Sequence, residues 1–110
     1  MIYFVRSADR KLIKIGHTKK RVRNRLSGYA SEYPFGFKLV AVMPGGLDVE
    51  KQLHRRFAQY RAWIKTDPSF SSACYREIFY TSRELLAFIR ENATKDREGW
   101  VSDSEPAYKR

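Results

Sequence analysis

The sequence has little cysteine and no long apolar run, and each shortage argues against a class of protein. Cys74 is the one cysteine among 110 residues, so no disulfide can form within the chain, as is usual in a reducing compartment. No apolar run approaches the roughly 18–20 residues that span a membrane. The N-terminal stretch MIYFVRSADR lacks the layout of a signal peptide. We therefore expect one cytoplasmic domain with no membrane partner.

Acidic residues are also scarce. The chain has 22 Lys and Arg against 12 Asp and Glu, a formal net charge of +10. Residues 93–110 contain four basic and four acidic side chains, so the whole excess lies within residues 1–92. It is densest in KKRVRNR, from Lys19 to Arg25, where five of seven residues are basic. A solvated helix face is one explanation, but so unbalanced a field attracts polyanions, and we expect contact with nucleic acid.

Hydrophobic periodicity and turn signals predict an α+β domain with three strands and three helices in the order β-β-α-β-α-α. The strands are predicted at residues 2–6, 11–16 and 37–43, the first two as an antiparallel hairpin. The helices are predicted at about 19–30, at 49–60 and after the TSRE stretch at 81–84. Together they make a small, mainly antiparallel sheet flanked by helices. We assign residues 1–92 to this domain and residues 93–110 to a polar, flexible tail.

Local signals refine these elements. Asp48 is predicted as the N-cap of the second helix, and Thr81 to Glu84 as the capping box of the third. The stretch REIFYTS, residues 76–82, is compatible with a short strand or bridge. The predicted core consists of Ile2, Phe4, Leu12, Ile15, Leu39, Val40, Leu53, Phe57 and Leu85.

Several polar residues stand where packing does not require them. They are Tyr3, Lys14, Gly16, His17, Arg25, Glu50 and His54. Each has a plain structural explanation on its own: a strand aromatic, a surface lysine, a turn histidine or a glutamate stabilised by a helix dipole. Glu50 and His54 are spaced i, i+4 and so share one helix face.

In their order along the chain, these residues resemble the GIY-YIG nuclease superfamily. The first half of its signature is MIY here and the second is KIG. They are followed by RL at Arg25–Leu26, by VEKQLH and by the EIF step at residues 77–79. The likeness covers about residues 1–90 and is greatest to the short, phage- and bacterial-type branch, whose members are often described as DNA-binding.

The resemblance implies hydrolysis of a DNA phosphodiester with one divalent cation, Mg²⁺ or Mn²⁺. Tyr3 would be a general base or would position the attacking water, and Lys14 replaces the second tyrosine of the signature. Arg25 would neutralise the scissile phosphate, and Glu50 would be the metal ligand. His17 stands outside the minimal signature, but a histidine at this strand end recurs in some restriction-type members and could also supply the base.

The expected partner is DNA, bound in the cytoplasm at the nucleoid by a monomer or homodimer. The DNA-contacting residues are predicted to be Lys19, Lys20, Arg21, Arg23, His54 and Arg55.

Two departures from the family pattern keep other functions open. Lys14 stands where a tyrosine is usual, and no asparagine lies near Phe79. A lysine beside Tyr3 would favour the phenolate or would hold the phosphate. The alternatives are a catalytically inactive DNA-binding module, a helix-turn-helix-like regulator and a toxin-type RNase. The helix-turn-helix-like regulator is disfavoured because the predicted basic helix follows a hairpin instead of a partner helix. RNA recognition is disfavoured because no predicted strand carries the paired aromatic residues on which RNA bases stack.

Overall fold

The structure is a computed structural model that describes residues 1–7, 9–19, 37–62, 77–96 and 100. Within these ranges the chain forms five strands and two helices. They are β1 (Ile2–Ser7), β2 (Leu12–His17), β3 (Phe37–Met43), α1 (Leu47–Arg56), β4 (Ile78–Tyr80), α2 (Arg83–Asn92) and β5 (Thr94–Lys95). A short 3-10 helix, Ala58–Tyr60, follows α1. The predicted first helix, at 19–30, lies almost wholly outside the described residues.

The strands form one antiparallel sheet in the order β4-β2-β1-β3-β5. The α+β class, the β1–β2 hairpin and β3 are confirmed. The predicted total of three strands and the predicted element order are wrong, because β4 and β5 add one strand to each edge. Strand β4 lies within the stretch 76–82, which the sequence showed to be compatible with a short strand. Strands β4 and β5 have three and two residues, too few to show a periodicity, so pairing with β2 and β3 is what makes them strands.

The two faces of the sheet differ in what covers them. Ile2, Phe4, Ile13 and Ile15 point to the side on which α1 and α2 pack, and they share one buried cluster with Leu53, Phe57, Leu85 and Ile89. We call this side the helix face. Tyr3, Val5, Lys14 and Gly16 alternate with those residues and point to the other side, the opposite face. Each fully buried aliphatic or aromatic side chain contributes roughly 1.5–3 kcal/mol.

Seven of the nine predicted core residues are buried. The exceptions are Leu12 and Leu39, which are half-buried. The register explains both. Leu12 alternates with Ile13 and Leu39 pairs with Val5, so both point to the opposite face and away from the helices.

Helix α1 begins one residue before Asp48, so the predicted N-cap is wrong. Gly46 takes that position without a side-chain hydrogen bond, and Asp48 lies in the first turn. Gly45 has a φ of +151°, and a Cβ there would lie 2.9 Å from Val49 Cβ. Gly45 thus sets the entry to the helix, because both its backbone conformation and the limited space favour glycine there. The helix ends at Arg56, and the predicted residues up to Tyr60 continue as the 3-10 turn.

Helix α2 is capped by Ser82, whose Oγ accepts a hydrogen bond from the Leu85 N–H at 3.1 Å. The capping-box prediction therefore places the N-cap one residue too early, at Thr81 instead of Ser82. Glu84 does not close such a box; its carboxylate accepts a hydrogen bond from the Tyr60 hydroxyl. That bond and the Glu84 charge raise the pKa of Tyr60 above its usual value.

The chain after α2 returns to the sheet. Strand β5 pairs with Ala41 and Val42, and the Asp96 N–H donates to the Val40 carbonyl at 2.8 Å. Trp100 is half-buried against the core cluster. Neither described helix is long and apolar enough to cross a membrane.

Candidate functional site

The end of strand β2 is built around a close contact between a glycine and a tyrosine. Tyr3 on β1 lies directly across the hairpin from Gly16. A Cβ at position 16 would be 2.8 Å from Tyr3 Cε2 and closer still to Cζ and Oη. The tyrosine ring therefore occupies the space over the glycine, which explains why the KIG stretch has no side chain there. Tyr3 is only 1% exposed.

His17, the next residue, points to the helix face and contacts helix α1. Its Nδ1 forms a hydrogen bond with Oε2 of Glu50, which lies in the first turn of α1. Glu50 is buried, whereas His17 is 28% exposed. An ionised carboxylate can only accept, so Nδ1 donates and the Nε2 atom of a neutral ring carries the lone pair. The contact therefore fixes both the orientation and the tautomer of a half-exposed imidazole.

His54 is the second histidine near Glu50. Its Nε2 lies 2.9 Å from the Ile15 carbonyl oxygen and donates to it. The same nitrogen is 3.6 Å from Glu50 Oε1, which is beyond hydrogen-bond distance. The ring also stacks at a tilt on Phe79, with 5.4 Å between ring centroids. The prediction that His54 shares a helix face with Glu50 is confirmed, and the ring binds the backbone of β2.

Four of the five predicted catalytic residues lie within the described part of the chain, and these four are not one cluster on one face. Tyr3 and Lys14 point to the opposite face, and His17 and Glu50 meet on the helix face. The register places Val5, and not Tyr3, directly across from Lys14. Lys14 and Tyr3 are diagonal neighbours on one face. Gly16, which lies across from Tyr3, is followed directly by His17, which contacts Glu50, so the two groups meet at the end of β2.

Lys14 is paired with an acidic residue that sequence reasoning did not select for the site. Its Nζ lies 3.1 Å from Glu77 Oε2. Lys14 is 3% exposed and Glu77 is 31% exposed. Glu77 is the first residue of the EIF step and immediately precedes β4. Its position next to a possible strand is the signal in the sequence that could have identified it. Nothing in the local pattern specified that β4 would pair with β2.

The predicted DNA-contacting residues are only partly within the described structure. Lys19, just beyond β2, and Arg55, in the last turn of α1, are exposed. Lys20, Arg21, Arg23 and Arg25 lie outside the described residues, so their placement stays a prediction.

At the end of β2, a divalent cation would have one carboxylate ligand, that of Glu50. In the described ranges, no group of three or more His, Cys, Asp or Glu side chains is arranged to hold a metal ion. His17 forms a hydrogen bond with Oε2 of Glu50, whereas Oε1 makes no hydrogen bond with a described residue. One carboxylate oxygen fits the way Mg²⁺ binds at phosphoryl sites, where water and substrate oxygens complete the shell. The residues thus fit a metal that binds together with a phosphate.

Comparison with known proteins places the chain in a family. The model of the T5orf172 domain matches residues 1–95, most of the chain. The chain belongs to the T5orf172 domain family. This is a phage-associated domain in a GIY-YIG- or HNH-like nuclease context, although no match to the GIY-YIG family itself is shown. No curated protein and no solved structure matches the chain. The family favours a nuclease or DNA-binding role and makes DNA a plausible partner.

Proposed function

We propose that this T5orf172 domain is a metal-dependent endonuclease that hydrolyses DNA phosphodiester bonds at the end of strand β2. The observation that carries the proposal is the hydrogen bond between His17 Nδ1 and the buried Glu50 carboxylate. A buried glutamate that orients a half-exposed histidine is an arrangement suited to proton transfer. The net charge of +10 supplies the attraction to a polyanion.

His17 is the better placed of the two predicted bases. Tyr3 is 1% exposed and lies against Gly16, whereas the His17 ring is 28% exposed. With Nδ1–H held by Glu50, Nε2 can take the proton of an attacking water. We assign Tyr3 a positioning role, because its ring fixes the backbone of residue 16 next to the base.

Glu50 has two carboxylate oxygens and would use them for different tasks. Oε2 holds His17, and Oε1 would hold Mg²⁺ or Mn²⁺. When bound, the ion would supply a Lewis acid for the phosphoryl oxygens. The remaining positive charge would come from Arg25 and Lys14, which would stabilise the charge that develops on the phosphate.

A catalytically inactive DNA-binding module is the second candidate function. The observation that favours it is the burial of Lys14 in an ion pair with Glu77, at the position where the GIY-YIG signature has its second tyrosine. Such a module would keep the fold and the basic surface, and it would bind DNA with or without Glu50.

Cleavage of supercoiled plasmid tests the proposal. Purified protein is incubated with plasmid in Mg²⁺, in Mn²⁺ and in EDTA, beside Glu50→Gln and the matched control Glu91→Gln, an exposed position on α2. We expect metal-dependent nicking by the wild type and Glu91→Gln, and its loss in a folded Glu50→Gln. Intact plasmid in every lane, with a salt-sensitive gel shift, would identify the binding module instead.

A further inference from the structure

Helix α1 has two exposed cations beside the residues of the candidate site. Glu50 and His54 lie one turn apart and contact the end of β2. Lys51 and Arg55 are the residues that directly follow them, so they form the neighbouring row of the helix, turned farther toward solvent. Both are exposed. We call Lys51 and Arg55 the outer pair.

The charge of the outer pair is not used within the described structure. Neither Lys51 nor Arg55 forms a hydrogen bond or an ion pair with another described residue. Two acidic residues lie on the same helix, but Glu50 is held by His17, and Asp48 lies in the first turn, where the helix dipole stabilises its charge. The outer pair is therefore available to an external anion.

Arg56, the next residue along the helix, has the same charge but a different environment. Its guanidinium carbon lies 4.9 Å from the centroid of the Phe88 ring on α2 and 5.5 Å from that of Phe57. Contacts of this kind attract the cation to the faces of the rings. Arg56 therefore points toward α2, and it offers a reference of equal charge on the same helix.

The spacing of the outer pair suits the backbone of one nucleic-acid strand. Residues at i and i+4 of a helix have Cβ atoms about 5–6 Å apart, and lysine and arginine are long enough to reach phosphates that follow one another along a strand. Lys51 also directly follows Glu50, the proposed metal ligand. We propose that Lys51 and Arg55 bind consecutive DNA phosphates beside the cleaved bond, so that α1 lies along the strand and directs it to the end of β2. The choice of DNA and of a cleaved bond rests on the proposed function.

Fluorescence polarisation of a labelled DNA duplex, measured in EDTA over a series of salt concentrations, tests the outer pair without any cleavage. The variants are Lys51→Gln, Arg55→Gln, their combination, and the matched controls Arg56→Gln and Arg83→Gln, the latter at an exposed position on α2. Each replacement in the outer pair should weaken binding roughly three- to tenfold and lower the slope of log affinity against log salt by about one. The combination should lower the slope by about two, and both controls should leave it unchanged.

Two results would overturn the proposal. One is an unchanged slope in either Lys51→Gln or Arg55→Gln. The other is an equal loss in the controls, which would make net charge alone the source of the attraction. Thermal unfolding checks that each variant folds, and Arg83→Gln is the reference if Arg56→Gln does not.

Plasmid nicking by the wild type separates this inference from the proposed function. If the wild type nicks plasmid in Mg²⁺ and the outer pair does not affect binding, the strand lies elsewhere and the nuclease stands. If the wild type never nicks plasmid but binds DNA through the outer pair, the proposed cleavage fails and α1 is the DNA contact of a binding module.

Discussion

His17 and Glu50 lie 33 residues apart in the chain, and a hydrogen bond joins the His17 Nδ1 atom to a Glu50 carboxylate oxygen at the end of strand β2. The strand fixes one partner and the first turn of α1 fixes the other, so the contact depends on how the helix packs on the sheet. The pair combines a buried acid with a half-exposed base. This geometry makes His17 the centre of the proposed chemistry.

Replacing His17 by alanine should abolish most DNA cleavage while leaving DNA binding nearly unchanged. Loss of a general base lowers the rate by roughly 10²–10⁴-fold. Single-turnover cleavage of a labelled duplex measures the loss, and polarisation in EDTA measures binding. Added imidazole should restore part of the rate in His17→Ala. A parallel loss of affinity and rate, with no recovery in imidazole, would make His17 a DNA contact.

Replacing His54 by alanine should lower the cleavage rate at saturating DNA by roughly 10–100-fold, the scale of a small misplacement of catalytic groups. The reason is its hydrogen bond to the Ile15 carbonyl, which ties the helix that carries Glu50 to the strand that carries His17. His54→Gln retains an N–H donor and should recover part of the rate. If His54 contacts DNA, as the sequence predicts, affinity will fall and the saturated rate will not.

The parts of this site that sequence predicts are those set by short-range order. The β1–β2 hairpin follows from a short turn between two apolar stretches, and the shared face of Glu50 and His54 follows from their i, i+4 spacing. The contact of His17 with Glu50 is set by the packing of α1 on β2, for which no local pattern exists. The same holds for the pairing of Lys14 with Glu77, because the three residues of β4 are too few to indicate from the sequence which strand they pair with.

Replacing Gly16 by alanine should destabilise the fold. The new Cβ would meet the Tyr3 ring at 2.8 Å or less, and such overpacking typically costs about 1–3 kcal/mol. Urea unfolding measures the change in the free energy of unfolding. Gly46→Ala is the matched control, since the nearest atom to its Cβ would be Asp48 Oδ1 at 3.4 Å. Equal stability of the two variants would contradict the close approach of Tyr3 to Gly16.

The turn between β1 and β2 should contribute a pH-dependent part of the stability. The Ser7 hydroxyl donates to Asp9 Oδ1 at 2.6 Å and the Lys11 N–H donates at 3.0 Å, and these bonds hold the pKa of Asp9 below its usual value. A lowered folded-state pKa stabilises the protein above the unfolded-state pKa of about 3.9. That contribution is lost as the pH falls through the folded-state pKa.

An NMR titration of the Asp9 carboxyl in the wild type and in Ser7→Ala measures this effect. Ser7→Ala should move the Asp9 pKa upward, because the largest cause of the shift is removed. Urea unfolding of Asp9→Asn should show a smaller loss of stability below about pH 4 than the wild type. If the wild-type Asp9 carboxyl titrates at its usual value, the hydrogen bonds of the turn do not lower its pKa, and the prediction is contradicted.

The most direct test of the account is a double-mutant cycle on His17 and Glu50, read from single-turnover cleavage of a labelled duplex in Mg²⁺. The variants are His17→Ala, Glu50→Gln and their combination, each checked for folding by thermal unfolding. If the two side chains act as one unit, the double variant will be no slower than the slower single variant. Losses that multiply, or a wild type that leaves the duplex intact, would contradict the proposed site.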